Sequence, residues 1–194
     1  MGYGVAVDHC IQLFPTPLWG FSLASRPHLA PACATALRAL RAADAGVQKS
    51  NLLGWQSEDE LHLEEPFDEV SELVQAFVAS QVAAAYPRVE RFEMMSMWGN
   101  INPRGAANLH HTHEHTLSGV FYLEVPEDSG RLTLVDPRIR NLGLAGEERN
   151  FSVAAQPGGV LLFPAWLEHF VGPNLSDHER LSVAFNLKGI LSTR

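Results

Sequence analysis

Cysteine is scarce in this chain, which contains only Cys10 and Cys33 among 194 residues. The two lie far apart and outside any ligand-like spacing, so neither a disulfide framework nor a thiolate metal site is expected. We therefore expect both to be ordinary reduced residues, and any metal site must use other ligands.

Positive charge and long apolar runs are also in short supply. The chain has 14 basic against 22 acidic residues, a formal net charge of -8, and no Lys/Arg cluster. This balance disfavours a nucleic-acid partner. No run approaches the roughly 18 apolar residues of a membrane span, and no secretory leader is evident. We expect no nucleic-acid partner, no membrane partner and a cytoplasmic protein.

The first half of the chain indicates two long helices. Residues 27–45 are alanine-rich with apolar residues at helical spacing, and residues 66–86 follow a 3.6-residue period between Pro66 and Pro87. Residues 10–23 are broken by prolines and suit an edge strand. Residues 50–65 predict an irregular loop whose Trp55 packs against the core.

Strand-like runs follow the second helix and are separated by Pro, Gly, Asn and Asp turns. They cover residues 91–101, 117–125, 130–135, 151–154, 159–163 and 180–187. Short strands at this spacing predict a β-sandwich or barrel of the jelly-roll kind. The expected fold is mainly β with flanking helices (α+β), in a single domain with helical support over about 1–90 and a β core over about 91–190.

Histidine is concentrated in one stretch, NLHHTHEHTLSGVFYL, which holds four of the nine histidines. In an extended strand His111, His113 and His115 would share one face, while His110 would point the other way. Imidazole is a common ligand of zinc, iron, copper and nickel. The stretch therefore predicts a metal site that needs a further ligand from elsewhere.

That further ligand is expected on a later strand. His169 follows the apolar run 160–163, whereas His178 lies in a polar turn and is expected to be solvated. Eleven residues after His169, Arg180 and Ser182 alternate onto one face, where a guanidinium and a hydroxyl could together hold a carboxylate. An exposed Arg180 paired with a neighbouring acid is the alternative.

Taken together, these segments resemble the iron(II)- and 2-oxoglutarate-dependent dioxygenases, and more closely a small bacterial branch of 2OG-Fe(II) oxygenases. The resemblance is carried by SNLLGWQS, WGNINPRGAANLHHTH, SGVFYLEVP, DPR, PGGVLLFPAWLEHFVGPN and RLSVAFN, over roughly residues 50–187. It implies a double-stranded β-helix (jelly roll, cupin-like) preceded by helices. It also implies an oxygenase that uses Fe(II), O2 and 2-oxoglutarate, releases succinate and CO2, and usually hydroxylates its substrate.

The same resemblance implies roles for individual residues. The metal ligands would be His111, His113 and His169, with no catalytic side chain beyond them. The cosubstrate would be held by Arg180, Ser182 and Tyr122, and by the amide of Asn102 or Asn108.

One position departs from the family's pattern. The usual triad has two histidines and one carboxylate, and His113 stands where the carboxylate would be. His115 or Asp136 could instead replace one of the proposed ligands.

Three rival readings stay open. A cupin-type metal enzyme would have nearly the same fold, but no glutamate follows His113 at the cupin interval and Arg180 would have no role. A noncatalytic metal- or 2-oxoglutarate-binding protein would keep the same pocket. A structural zinc site is disfavoured, because such sites usually use cysteines. The substrate, a small molecule or a protein, is not identified by the sequence, and the edge strand suggests a possible homodimer.

Overall fold

The computed structural model describes residues 14–138 and 149–192. Cys10 and the first part of the strand expected over 10–23 lie outside these ranges. Within them the strands are β1 (Trp19–Ser22), β2 (Asn51–Leu52), β3 (Trp55–Gln56), β4 (Val89–Asn102), β5 (Ala107–His111), β6 (Leu117–Glu124), β7 (Leu132–Val135), β8 (Asn150–Ser152), β9 (Gly159–Pro164), β10 (His169–Val171) and β11 (Arg180–Leu191).

These strands form two antiparallel sheets. One has the order β1-β9-β6-β11-β4-β3, and the other has the order β2-β5-β10-β7-β8. Strand β1 lies at the end of its sheet, where an edge strand was predicted. The protein is therefore mostly β with two helices, and the six strand-like runs of the sequence correspond to β4, β6, β7, β8, β9 and β11.

The expectation of two long helices is wrong. Helix α1 (Leu29–Ala43) has 15 residues, and helix α2 (Phe67–Phe77) has 11. Beyond Phe77 the backbone widens into one π-helical turn over Val78–Val82 and then tightens into a 3-10 turn over Ala83–Ala85. Val78 and Val82, at the two ends of the π-helical turn, are both fully buried. None of the helices described here is long and apolar enough to cross a membrane.

The main core lies between the two helices and the outer face of the six-stranded sheet. Alternation along β4 turns Met97 and Ile101 toward the helices, and the fully buried apolar residues of both helices join the same cluster. Cys33 of α1 is part of it, and burial raises the pKa of its thiol to about 12. Trp55 packs against this cluster, and its indole N–H donates to the Asp44 carbonyl oxygen at 3.0 Å. The opposite face of the sheet is left for the cavity described next.

Candidate metal centre

Three histidines from three segments meet on the inner face of the five-stranded sheet. His111 ends β5 and stands beside His169 of β10 in the antiparallel register. His113 lies two residues past the end of β5, where its backbone N–H donates to the Ala165 carbonyl oxygen at 2.9 Å. One ligand atom from each of the three lies within 4.8 Å of the others. The structure thus brings together His111, His113 and His169, close enough to hold one metal ion.

Backbone carbonyls orient two of these imidazoles. His111 Nδ1 lies 2.6 Å from the Leu109 carbonyl oxygen, and His169 Nδ1 lies 2.9 Å from that of Leu167. A carbonyl oxygen only accepts, so each Nδ1 carries the proton and donates. The lone pair is thereby left on Nε2. This second-sphere arrangement is typical of metal-ligating histidines.

Burial keeps the three imidazoles neutral. It lowers the pKa of His113 to about 3 and that of His169 to about 4, and each is lowered further by its neighbouring histidines. Burial also lowers the pKa of His111, against the effect of its hydrogen bond to Leu109. Neutral imidazole is the form that binds metals.

The other candidate ligands lie away from this trio. The chain bends after His113, so His115 does not continue the face that strict alternation predicted. Asp136 pairs with Arg138 at 2.6 Å and lines a different cavity. His110 points outward, bonded to Glu168 and stacked on Phe170. His178 is exposed, as expected.

A register shift between β5 and β10 adds an amide to the site. Val171 pairs with Asn108, and His169 pairs with His111. The paired positions are therefore three residues apart on β5 but only two residues apart on β10, which means that β5 contains one extra residue. Residues three apart on a regular strand face opposite ways. The bulge lets Asn108 and His111 both line the same cavity. Strand periodicity alone does not predict that Asn108 and His111 share a face.

The metal trio opens into a small cavity of about 60 Å³ that also reaches β4, β6 and β11. Among the residues predicted to bind the cosubstrate, Arg180, Ser182 and Tyr122 line it, and so does Asn108, the alternative to Asn102. Ser182 stands between Tyr122 of β6 and Asn100 of β4 in the register. The predicted histidines and the predicted carboxylate receptor therefore share one cavity.

Arg180 brings a buried positive charge to this cavity. It is 4% exposed, and its guanidinium donates to the carbonyl oxygens of Ser129 at 3.1 Å and Gly130 at 3.4 Å. Among the described residues no carboxylate pairs with it, and none lines the cavity. Burial lowers the pKa of Arg180, and the nearby Tyr122 opposes this effect. Because arginine stays protonated in proteins, this charge calls for an anion.

Two polar atoms of residues that line the cavity are buried without a hydrogen-bond partner, the Tyr122 hydroxyl and Asn100 Oδ1. Asn102 Oδ1 and Ser129 Oγ, which belong to two neighbours of Arg180, are unpartnered as well. Burial raises the pKa of Tyr122 to about 12, with Arg180 acting in the opposite direction. The phenol is therefore a protonated donor. A buried hydroxyl left unpaired costs about 1–3 kcal/mol, so a bound acceptor would stabilise this arrangement.

The sequence did not identify every residue of the cavity. Asn102, predicted to contact the cosubstrate, is fully buried, and its amide donates to Asn108 Oδ1 at 3.2 Å. Asn100 and Trp98, two and four residues earlier on β4, line the cavity instead. Both lie on the same face of β4 as Asn102, because side chains on one face of a strand recur every second residue. The sequence pattern could therefore have suggested both as candidates.

Fold and site together define a jelly-roll protein with a three-histidine cluster and a buried arginine in one cavity. Residues 96–186 match the model of a family described as "Putative 2OG-Fe(II) oxygenase". The match spans slightly less than half of the chain, from the middle of β4 to the middle of β11, and over this segment the chain is similar to that family. The chain matches none of the curated proteins by sequence.

Solved structures share this fold at low sequence identity. A Pseudomonas putida prolyl-4-hydroxylase is 17% identical, with 89% of this chain and 92% of that chain covered and a TM-score of 0.64. The epimerase SnoN from nogalamycin biosynthesis is 13% identical, with 89% and 77% covered and a TM-score of 0.70. HygX from Streptomyces hygroscopicus, solved with nickel and 2-oxoglutarate, is 14% identical, with 90% and 83% covered and a TM-score of 0.61.

Proposed function

We propose that this chain is an Fe(II)- and 2-oxoglutarate-dependent dioxygenase that hydroxylates a substrate and releases succinate and CO2. His111, His113 and His169 would hold the metal, and Arg180 would hold the distal carboxylate of 2-oxoglutarate. The observation that carries this proposal is the pairing, in one cavity, of a neutral imidazole trio with a buried arginine that lacks a carboxylate partner.

The residues present fit both groups. Two Nε2 lone pairs fixed by backbone carbonyls suit a transition metal. Two carboxylate oxygens suit the Arg180 guanidinium together with the unpaired Tyr122 hydroxyl and the Ser182 hydroxyl. When bound, Fe(II) and 2-oxoglutarate supply O2 activation coupled to oxidative decarboxylation.

The chain's own contribution is positioning and exclusion of water. Arg180, Ser182 and Tyr122 are each about 95% buried or more, so the distal carboxylate would be held in a site with little competing water. Low local dielectric strengthens such charge-assisted bonds. A cupin that does not use 2-oxoglutarate would leave the Arg180 charge without an anion, which favours the oxygenase over that alternative.

Arg180→Met tests the carboxylate role. Anaerobic wild-type protein loaded with Fe(II) should develop a visible charge-transfer band when 2-oxoglutarate is added. The variant should need about 10- to 150-fold more 2-oxoglutarate, since a hydrogen bond to a charged group contributes about 1.5–3 kcal/mol. Its iron content should be unchanged.

The matched control is Arg104→Met, because Arg104 is exposed and pairs with Asp177 outside the cavity. The control should need the same 2-oxoglutarate concentration as the wild type to develop the band. Absence of the band in iron-loaded wild type would count against bidentate 2-oxoglutarate, and loss of iron from Arg180→Met would show that Arg180 has a different role. Succinate formation stimulated by a candidate substrate would then separate an enzyme from a noncatalytic binding protein.

A further inference from the structure

The inner face of the six-stranded sheet carries side chains that align across β6, β11 and β4. The register forms three successive rungs: Tyr122, Ser182 and Asn100; then Val120, Ala184 and Trp98; then Ser118, Asn186 and Ser96. Side chains of one rung point to the same face and lie beside each other. Each rung is therefore a strip of the cavity wall or of its border.

The three rungs differ in chemistry and in burial. The first and third are polar and buried. In the third, Asn186 Nδ2 donates to Ser96 Oγ at 3.1 Å, and the Ser118 hydroxyl donates to the Phe185 carbonyl oxygen at 3.5 Å. The middle rung is apolar, and its three side chains are only half-buried and line the cavity that holds the histidines. We call Val120, Ala184 and Trp98 the apolar rung.

The apolar rung lies beside one of the three histidines. The centroid of the Trp98 ring is 5.6 Å from that of His113. Successive rungs are about 6.6 Å apart along a strand, two residues at about 3.3 Å each. A five-carbon diacid anchored at Arg180 would extend past Ser182 toward the metal. The next strip, around Ala184, would then stay free.

We propose that the apolar rung binds an uncharged aliphatic group of the substrate beside the metal. This inference rests on the function proposed above. Apart from Arg180, no lysine, arginine or carboxylate is among the described residues that line the cavity. Burying a charge without a partner is unfavourable, so a charged group is disfavoured once 2-oxoglutarate occupies Arg180. The small side chain of Ala184 lies between the larger side chains of Val120 and Trp98 and leaves a recess between them. The size of this recess limits the size of the aliphatic group that can bind.

Three small probes with the same branched chain test the charge preference: isobutanol, isobutylamine and isobutyrate. Each is titrated into Co(II)-loaded protein with 2-oxoglutarate bound, and broadening of its methyl proton signals is compared with Zn(II)-loaded protein. The methyl proton signals of isobutanol should broaden saturably as it is added. Isobutanol should bind at least about tenfold more tightly than the two charged probes. Tighter binding of isobutylamine or isobutyrate would overturn the inference.

Two substitutions test the size preference. Ala184→Phe should fill the recess and abolish the isobutanol effect, while metal and 2-oxoglutarate binding stay unchanged. Trp98→Ala should widen the recess, so that cyclohexylmethanol binds at least as tightly as isobutanol. Ala43→Phe, at the exposed end of α1, controls for the added ring. If Ala184→Phe fails to fold, Ala184→Val makes the same comparison with a smaller expected loss.

The outcomes distinguish this inference from the proposed function. If wild-type protein does not bind 2-oxoglutarate, the proposed function fails before any probe is added. If 2-oxoglutarate binds but isobutanol is not broadened, or if Ala184→Phe binds it as well as wild type, only the assignment of the apolar rung fails.

Discussion

At the scale of single residues, the side chain at position 113 would set the charge of the proposed metal centre. Three neutral imidazoles add no negative charge, whereas the usual two-histidine, one-carboxylate triad adds one. With the distal carboxylate of 2-oxoglutarate neutralised by Arg180, the metal of this protein would be one unit more positive than in that triad. Such a centre should favour Fe(II) over Fe(III), because the higher oxidation state is less well compensated.

His113→Ala and His115→Ala test which histidine binds the metal. His113→Ala should weaken Co(II) binding by more than about 100-fold, since even changes in the second coordination sphere cost about 10- to 100-fold. His115→Ala should bind Co(II) like the wild type, because His115 lies outside the trio. Calorimetric titration of metal-free protein with Co(II) measures both.

His113→Asp provides the matched rescue, because it restores the carboxylate of the usual triad. We expect this variant to keep one Co(II) per chain. A full loss of binding in His115→Ala with normal binding in His113→Ala would reverse the assignment.

At the scale of elements, the sequence predicted what depends on local pattern. Six runs of alternating or apolar residues became strands, and the apolar run that precedes His169 is β9. The strands that were not predicted, β2, β3 and β10, have two or three residues each. They exist through pairing with β4, β5 and β7, so no local period can indicate them.

The same limit applies to the candidate site. Residue types with distinctive chemistry, such as histidine and arginine, could be picked out from sequence and resemblance. Alternation indicates that Asn100, Trp98 and Ala184 share a face with predicted residues, but which of them line the cavity depends on the register between β4 and β11. The bulge that turns Asn108 inward is likewise a property of two paired strands.

The loop before β7 fixes the position of Arg180, and Gly130→Ala should disturb it. Gly130 has φ +83°, and a Cβ there would overlap the Gly172 carbonyl group. Its own carbonyl and that of Ser129 accept the Arg180 hydrogen bonds. We expect a loss of about 3 kcal/mol in the free energy of unfolding in urea, together with weaker 2-oxoglutarate binding.

Gly158→Ala is the matched control for backbone strain. Gly158 has φ +81°, and a Cβ there would meet nothing within 4 Å. The free energy of unfolding of this variant should fall only by the cost of a non-glycine residue in the left-handed region, about 1–2 kcal/mol. The variant should bind 2-oxoglutarate normally. Equal losses in both variants would show that the overlap with Gly172 is relieved by movement of the loop.

At the scale of the whole molecule, the main core and the metal centre lie on opposite faces of one sheet. The core packs α1 and α2 on the outer face, with Phe121, Val183 and Phe185 fully buried there. The histidines stand over the inner face, which carries the cavity. Because the larger apolar cluster contains no metal ligand, its burial does not depend on the metal. This arrangement differs from structural zinc domains, which are unfolded without their ion.

Metal removal should therefore leave the protein folded. After chelation, we expect an unchanged far-UV circular dichroism spectrum and a cooperative thermal transition. Adding Co(II) at about 100 times its dissociation constant should stabilise the folded state by about 2.7 kcal/mol, because the ion binds only the folded chain. His169→Ala should show the same transition without any response to Co(II). Loss of the transition in chelated wild type would mean that the three histidines form a structural site, since folding would then require the ion.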